Sequence, residues 1–192
     1  MEKLNAIDTE VFYWVNRHHC TVSDYVLWTF SQAWSWALVL IAVFVFVTLR
    51  KEKKMWWVVL LGMALCFLFS DRISVLCFKD VFQRLRPCHA LPDVRMILGT
   101  TCGGAYGFVS SHAANCFSLT MFLSLWYGNR YKSLPYMLFA WALTVGYSRP
   151  YLGKHYPGDV ICGAVLGILI GWIVYLLIRW ISGKIKYRKN EA

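Results

Sequence analysis

A polar stretch between two apolar runs, residues 148–160, holds the side chains best suited to chemistry. It reads SRPYLGKHYPGDV and contains Arg149, Lys154, His155 and Asp159. The planar guanidinium of Arg149 suits bidentate contact with a phosphate. His155 and Asp159 are four residues apart, so the carboxylate can fix one imidazole tautomer and leave the other nitrogen free to attack or to take a proton. We expect an anion site with a nucleophile here, although a surface ion pair would use the same residues.

A second cationic cluster, KDVFQRLRPCHA, begins at Lys79. If the preceding apolar helix continues through it, the spacing places Lys79 and Arg86 on one face, two turns apart, and Pro87 ends the helix. Arg84 lies close to the same face and is a candidate substrate contact. A collar of cations that reach toward lipid headgroups is the alternative interpretation.

A third stretch, GFVSSHAAN, opens another apolar run. We expect Ser110 to cap a helix, so that the free backbone N–H groups of Ser111 and His112 form an anion site aided by the helix dipole. The alternative is an ordinary serine cap, with a histidine whose hydrogen bonds are satisfied by water.

The elements that must position these residues are membrane helices. Hydrophobic residues make up 58% of the 192 residues, more than a soluble domain of this length contains. Several apolar runs approach or reach the roughly 20 residues that a spanning helix needs. These runs are residues 25–49, 55–78, 108–127, 134–147 and 160–181. We therefore predict an all-α, integral membrane helical bundle of about five transmembrane helices, forming a single domain over residues 1–192.

The formal net charge of +10 would suggest nucleic-acid binding in a soluble chain, but membrane orientation accounts for most of the basic residues here. Successive spans cross the membrane in opposite directions, so alternate loops and the C-terminal tail lie on the same face. One set of basic residues lies on that face, which should be cytoplasmic. This set is Arg50, Lys51, Lys53, Lys54, Arg130, Lys132, Lys184, Lys186, Arg188 and Lys189. The three clusters lie at helix ends on the opposite, outward face of the cytoplasmic membrane. Together they predict a phosphate cradle with an acid and a nucleophile.

Residues 1–24 have apolar positions at helical spacing. The positions are Leu4, Ile7, Val11, Phe12 and Val15. We predict an amphipathic helix that lies on the outer leaflet or against the bundle, and not a removable signal peptide.

Two groups of cysteines and histidines need separate interpretation. Cys88 and Cys102 fall in the same outer loop, where an oxidising compartment would let a disulfide persist, but the sequence leaves open whether they are bonded. His18, His19 and Cys20 are adjacent, so they point to different sides of a helix, and we expect no metal there.

In their order along the chain, the three clusters resemble the motifs of the type 2 phosphatidic acid phosphatase family. Residues 79–87 match K-x6-R-P, residues 109–112 look like P-S-G-H, and residues 148–159 match S-R-x5-H-x3-D. The resemblance implies a membrane lipid phosphatase whose fold is shared with vanadium haloperoxidases. The middle motif departs from the family, because Val109 and Ser111 replace its proline and its glycine, and a serine adds a side chain where the backbone approaches phosphate.

The resemblance also implies a role for each matching residue. His155 would attack phosphorus to give a phosphohistidine, Asp159 would orient it, and His112 would protonate the leaving oxygen and then activate water. The phosphate oxygens would be held by Lys79, Arg86, Ser110, Ser111 and Arg149. No metal or other cofactor is expected.

A site at helix ends above apolar helices suits a phosphate on a lipid whose tail stays in the bilayer. We expect undecaprenyl diphosphate, because further basic groups could bind a second phosphate. These groups are Arg84, Lys154, His89 and Arg95. Phosphatidylglycerol phosphate, phosphatidic acid and the 1-phosphate of lipid A are alternatives. A lipid flippase with Asp71 and Arg72 in a polar route is the non-enzyme alternative. No nucleic-acid partner is expected, and the sequence does not indicate an oligomeric state.

Overall fold

A computed structural model describes residues 2–49, 56–97 and 99–190, and over these ranges the chain is all-helical, as predicted. The helices are α1 (Glu2–Arg17), α2 (Thr21–Ser31), α3 (Ala33–Leu49), α4 (Trp56–Ile73), α5 (Asp80–Phe82), α6 (Pro87–Ala90), α7 (Ser111–Tyr127), α8 (Leu134–Tyr151) and α9 (Pro157–Asn190). A π-helical turn, Ser74–Lys79, joins α4 to α5. Leu85 and Tyr106 form an isolated antiparallel bridge.

Two helical stretches are long and apolar enough to cross a membrane, Trp56–Phe82 and Pro157–Gly183. A third span would need α2 together with Trp34–Val45 of α3, which are bent by 66°. This bend corrects the prediction of one continuous helix over residues 25–49, because Gln32 has an extended backbone between the two helices. Helices α7 and α8, of 17 and 18 residues, complete the bundle. The number of five spans stays a prediction.

The orientation in the membrane also stays a prediction. Arg50, Lys51, Lys53 and Lys54 lie outside the described residues, and the side chains of the basic tail are not described either.

Polar side chains satisfy the backbone at the bend between α2 and α3. Ser35 Oγ donates to the carbonyl oxygen of Gln32 at 2.7 Å, and Trp36 Nε1 donates to that of Phe30 at 2.7 Å. These bonds use carbonyl groups that the end of a helix leaves without partners. The bend places Ser31 and Trp36 beside the residues of the third motif and the middle motif.

Helix α7 is the buried centre of the bundle, and α9 packs along it. The contact face of α9 carries Gly163, Gly167 and Gly171, which recur every four residues. A Cβ at Gly163 would lie 2.6 Å from the Ser110 carbonyl oxygen, and one at Gly171 would lie 2.9 Å from Met121 Cβ. Small residues at this spacing let two membrane helices approach closely.

We expect Gly167→Ala to lower the free energy of unfolding by about 1–3 kcal/mol, because the added methyl group would overlap the carbonyl oxygen of Ala114 on α7. Thermal unfolding in detergent measures the effect. Gly183→Ala is the matched control, since a Cβ there meets no described atom within 4 Å. Equal unfolding midpoints for the two variants would contradict the close packing of α7 and α9.

Helix α1 is the amphipathic helix expected at the N-terminus, and it lies against the bundle. Phe12 and Val15 are buried, and Asn16 Nδ2 donates to the carbonyl oxygens of Arg95 and Tyr151 at 3.1 and 3.0 Å. The exposed apolar residues are Leu4, Ile7, Val11 and Trp14. The helix is shorter than the predicted segment 1–24, because α2 begins within that segment. One face is therefore anchored to the protein and another is available to lipid.

The expected helix through Lys79 and Arg86 does not form. Helix α5 ends at Phe82, and Gln83 adopts a left-handed conformation with φ of 47°. Arg86 then lies in an extended segment, where its backbone N–H donates to the carbonyl oxygen of Ala105 at 3.0 Å. The residue before a proline disfavours the helical region, which explains the extended backbone at Arg86. Backbone pairing across the outer loop, and not a shared helix face, positions this cation.

The outer loop is closed by a disulfide between Cys88 and Cys102, whose Cα atoms are 6.0 Å apart. The structure thus pairs the two cysteines whose bonding the sequence left open. Arg95 fastens the loop to α2 by donating from both terminal nitrogens to the carboxylate of Asp24, at 3.1 and 2.5 Å. The disulfide and this ion pair hold the loop close to the bundle.

Candidate active site

Arg149 lies in the last turn of α8 and is only 2% exposed. Its Nη1 donates to Ser31 Oγ on α2, and its Nε has no hydrogen-bond partner among the described residues. Burial of a cation is costly unless an anion or other acceptors accompany it. The unused donor of Arg149 therefore indicates a place for an anionic group.

His155 follows α8 in a short loop and is only 1% exposed. Its Nδ1 lies 3.6 Å from Oδ2 of Asp159, slightly beyond hydrogen-bond distance. Burial lowers the pKa of His155 well below its ordinary value, and the charges of Arg149 and Arg86 lower it further. The imidazole is therefore neutral near pH 7, and a neutral imidazole nitrogen can act as a nucleophile.

Asp159 lies in the first turn of α9 and is fully buried. Its Oδ1 accepts from Arg84 Nη1 at 2.8 Å, and its Oδ2 accepts from the N–H of Tyr156 at 3.0 Å. The position at a helix N-terminus and the cation beside it both stabilise a carboxylate anion. This arrangement aims a fixed negative group at His155.

The N-terminus of α7 forms as predicted, with Ser110 as the N-cap. Ser110 Oγ accepts from the N–H of Ala113 at 3.5 Å, and the Ser110 N–H donates to the carbonyl oxygen of Asp159 at 3.0 Å. The first-turn N–H groups of Ser111 and His112 have no acceptor within the helix. Such groups provide an anion site where the helix dipole adds to the attraction.

The Ser111 hydroxyl, at the position where the family has glycine, holds the lysine of the first motif. Lys79 Nζ donates to Ser111 Oγ at 2.6 Å, and the hydroxyl groups of Ser111 and Ser74 are 2.7 Å apart. The side chain that departs from the family pattern is therefore part of the cationic site. It can donate or accept toward a bound phosphate.

His112 is half-buried in the first turn of α7, with its ring edge-on to Trp36 at a centroid distance of 4.9 Å. It lies within electrostatic reach of Arg149 and His155. The two histidines of the predicted pair are therefore in one site, although His112 comes from α7 and His155 from the loop between α8 and α9.

Arg86 and Lys154 complete the cationic surround. Arg86 Nε and Nη1 donate to the carbonyl oxygens of Tyr106 and Cys102, both at 3.2 Å, and burial lowers the pKa of its guanidinium. Lys154 is half-buried in the loop that also carries His155. The charges of Arg149 and Arg86 both act on Lys154, so several cations converge on one region.

Arg84 is placed differently from the substrate contact that the sequence suggested. Its Nη1 binds Asp159, its Nη2 lies 2.8 Å from Asp8 Oδ2, and its guanidinium stacks over the ring of Tyr156 at 4.0 Å. Both terminal nitrogens are thus occupied by carboxylates.

Some residues at the site were not foreseen from the sequence. Gly107 is one, because a Cβ there would lie 3.1 Å from Oδ2 of Asp159 and 3.2 Å from Cγ of Arg86. Asp8 is another, since it joins α1 to Arg84. The glycine-rich run GGAYG was the available signal for close backbone approach. Nothing in the sequence pattern marked Asp8.

Comparison with known proteins identifies the family. The chain is 30% identical over 189 residues to a Lipid A 4'-phosphatase of Bacteroides thetaiotaomicron, covering 97% of this chain and 83% of that protein. It is 32% identical over 179 residues to a Lipid A 4'-phosphatase of Porphyromonas gingivalis, covering 91% of this chain and 74% of that protein. The fold matches the transmembrane PAP2 type phosphatidylglycerolphosphate phosphatase from Bacillus subtilis with a TM-score of 0.71 at 20% identity, over 96% of this chain and 89% of that one. Residues 55–182 match the model of the PAP2 superfamily, and the chain belongs to that family.

Proposed function

We propose that the protein is a metal-independent lipid phosphate phosphatase that works through a phosphohistidine at His155. The observation that carries this proposal is the buried His155, whose Nδ1 lies 3.6 Å from Asp159 and which is within electrostatic reach of the buried Arg149. A buried cation with an unused donor favours an anionic ligand, and a neutral imidazole next to it can attack that ligand. The enzyme class is a phosphoric ester hydrolase.

In the first step, the imidazole nitrogen of His155 that faces away from Asp159 attacks phosphorus. The N–P bond forms while the bond from phosphorus to the leaving oxygen breaks. His112, whose protonated form the negative charge of the bound phosphate favours, gives its proton to that oxygen. Asp159 stabilises the positive charge that the imidazole acquires.

In the second step, His112 is neutral and takes a proton from a water molecule. The water oxygen attacks phosphorus, the N–P bond breaks, and inorganic phosphate leaves His155 in its original neutral form. The ring of Trp36 restricts the orientation of His112 in both steps.

The phosphate oxygens are held by preorganised donors. The cationic donors are Lys79, Arg86 and Arg149, and the neutral ones are the Ser111 hydroxyl and the first-turn N–H groups of α7. They face the negative charge as it redistributes in the transition state, where such groups have their largest effect. Ser110 contributes by capping the helix that presents those N–H groups.

Lipid A carrying a 4'-phosphate is the substrate that we favour. Two relatives named Lipid A 4'-phosphatase align with 97% and 91% of this chain. Undecaprenyl diphosphate, the substrate expected from the sequence, is the second candidate. Two of the groups expected to bind its second phosphate are engaged elsewhere, Arg84 with two carboxylates and Arg95 with Asp24. Lys154 lies in the cationic region of the site, so it supports undecaprenyl diphosphate as a candidate substrate.

The proposed location is the cytoplasmic membrane, with the site facing outward. The apolar helices support the membrane assignment. The outward orientation depends on the positive-inside pattern of the sequence.

Phosphate release from a panel of lipids tests the substrate directly. Purified protein in detergent with EDTA is given lipid A, undecaprenyl diphosphate, phosphatidylglycerol phosphate and phosphatidic acid. We expect release in EDTA, with the highest kcat/KM for lipid A and loss of the 4'-phosphate in the product. Release that requires an added metal ion would contradict the metal-independent mechanism, and a preference for undecaprenyl diphosphate would restore the expectation from the sequence.

The Lys154 ammonium group should give the reaction an alkaline limit. Burial, together with the charges of Arg149 and Arg86, lowers the pKa of Lys154 to about 8. The group is charged below this pH, and its attraction for phosphate is lost as the pH rises through it. We therefore expect the kcat/KM of Lys154→Arg, relative to the wild type, to increase from about pH 7 to about pH 9, because a guanidinium stays charged. A ratio that does not change with pH would exclude a charge contribution from Lys154.

A further inference from the structure

A continuous chain of charged contacts connects the N-terminal helix to the nucleophile. Asp8 of α1 lies 2.8 Å from Arg84 Nη2, and Arg84 Nη1 lies 2.8 Å from Oδ1 of Asp159. The other oxygen of Asp159 faces His155 Nδ1 at 3.6 Å. Each link joins a different segment of the chain. These contacts therefore link α1 to His155 through Arg84 and Asp159.

Arg84 can transmit position because its guanidinium is a rigid planar fork. Carboxylates hold both terminal nitrogens, and the ring of Tyr156 lies 4.0 Å from the guanidinium carbon. Asp159 is fully buried, so it needs a fixed cation to remain a carboxylate in the correct place. Asp8 determines where Arg84 presents that cation.

A second contact of Asp8 reaches the same helix as Asp159. Asp8 Oδ1 accepts from the N–H of Gly158 at 2.7 Å, at the N-terminus of α9. A Cβ at Gly158 would lie only 2.8 Å from Asp8 Oδ2, so glycine is needed for this approach. Asp8 thus supports Asp159 both through Arg84 and through the backbone of α9.

The docking of α1 does not depend on Asp8 alone. Phe12 is fully buried, and Asn16 donates to two carbonyl groups of the outer loop and α8. Tyr13 also donates from its hydroxyl to the carbonyl oxygen of Pro92 at 2.8 Å. Changing Asp8 should therefore leave α1 in place, which separates a positioning role from a general anchoring role.

We propose that Asp8 and Arg84 are positioning residues that orient His155 through Asp159, so that α1 is part of the catalytic apparatus. The inference rests on the proposed phosphohistidine mechanism. Carboxylates occupy both terminal nitrogens of Arg84, so we expect the two residues to affect the chemical step and not phosphate binding. A misplacement of reacting groups by about 1 Å can slow a reaction by about 10²-fold.

Steady-state kinetics of matched variants test the role of Asp8. Asp8→Asn removes one charge from α1, and Glu10→Gln removes one charge from an exposed position two residues further along the same helix. We expect Asp8→Asn to lower kcat by about 10-fold, with KM and the inhibition constant of inorganic phosphate changed by less than about twofold. Glu10→Gln should match the wild type. Equal kcat values for the two variants would overturn the inference. A rise in KM with kcat unchanged in Asp8→Asn would overturn it too.

Gly158→Ala provides a variant without any change of charge. Its added methyl group displaces Asp8, so we expect the same fall in kcat with the same unchanged KM. Arg84→Lys keeps the charge but loses the fork that joins two carboxylates, and it should lower kcat at least as much as Asp8→Asn. Full activity of both variants would contradict transmission through Arg84.

Nitrogen NMR of protein labelled with ¹⁵N-histidine reports on the environment of the His155 ring in the absence of substrate. Only five histidines are present, so the His155 resonance can be assigned by comparison with His155→Ala. We expect Asp8→Asn and Gly158→Ala to shift the Nδ1 resonance of His155, and Glu10→Gln to leave it unchanged. If no lipid is hydrolysed but these shifts occur, the proposed function fails, and the catalytic role of Asp8 fails with it, although the physical link from Asp8 to His155 stands. If the wild type is active but neither kcat nor the resonance changes in the Asp8 variant, the positioning role is wrong.

Discussion

His155→Ala should lower kcat for phosphate release by at least about 10⁴-fold, because it removes the atom that we propose bonds to phosphorus. The cations and the N-terminus of α7 remain in this variant, so substrate binding should change much less. The kinetic assay is phosphate release in EDTA at saturating lipid. Because the alanine leaves a cavity at a residue that is only 1% exposed, His155→Gln serves as a second variant that fills more of the space.

The matched control is His19→Ala, at an exposed histidine outside the site. It should retain wild-type kcat. Both His155 variants should elute as folded protein in detergent. Substantial residual activity in His155→Ala would show that water attacks phosphorus directly, or that another residue is the nucleophile.

Arg149→Lys should lower kcat/KM by about 10²-fold although it preserves the formal charge. A lysine carries its three donors on a single nitrogen, so it cannot reproduce the planar, two-pronged contact of the guanidinium with phosphate oxygens while it also reaches Ser31. The loss should appear in both kcat and KM, because in the proposed mechanism the guanidinium contacts phosphate in the ground state and in the transition state.

Arg17→Lys is the corresponding control, since Arg17 is exposed at the end of α1, where its guanidinium lies over the ring of Tyr13. It should have no effect on kinetics. If Arg149→Lys retained full kcat/KM, then Arg149 would serve only to join α8 to α2, and the unused Nε would not indicate an anion site.

Local spacing was sufficient to predict the third motif. Arg149, His155 and Asp159 lie at the end of one helix, in the following loop and in the first turn of the next helix, so their proximity follows from short-range geometry. The N-cap role of Ser110 was predictable for the same reason. The all-helical membrane fold followed from the apolar runs.

The first motif shows where local spacing fails. The sequence predicted one helix through Lys79 and Arg86, but the helix stops at Phe82 and the pairing of the outer loop places Arg86. Pro87 disfavours a helical conformation at Arg86, and this local signal outweighs the helical spacing of Lys79 and Arg86.

The contacts of Asp8 could not be derived from the sequence at all. Its partners Arg84 and Gly158 are 76 and 150 residues away along the chain. The helical stripe of α1 predicted an amphipathic helix, and of its five apolar residues only Phe12 and Val15 are buried. It carried no information about which polar residue of that helix would meet a guanidinium in the site.

The covalent intermediate provides the most direct test of the central claim. The wild type and His112→Ala are incubated with lipid substrate labelled with ³²P in the scissile phosphate, quenched in alkali, where phosphohistidine is stable, and digested for peptide mapping. We expect the label on the peptide that contains His155, with more label in His112→Ala when the lipid has a good leaving group, because the activation of water is slowed. Label on any other residue, or release of phosphate with no label on the protein in either sample, would contradict the phosphohistidine mechanism.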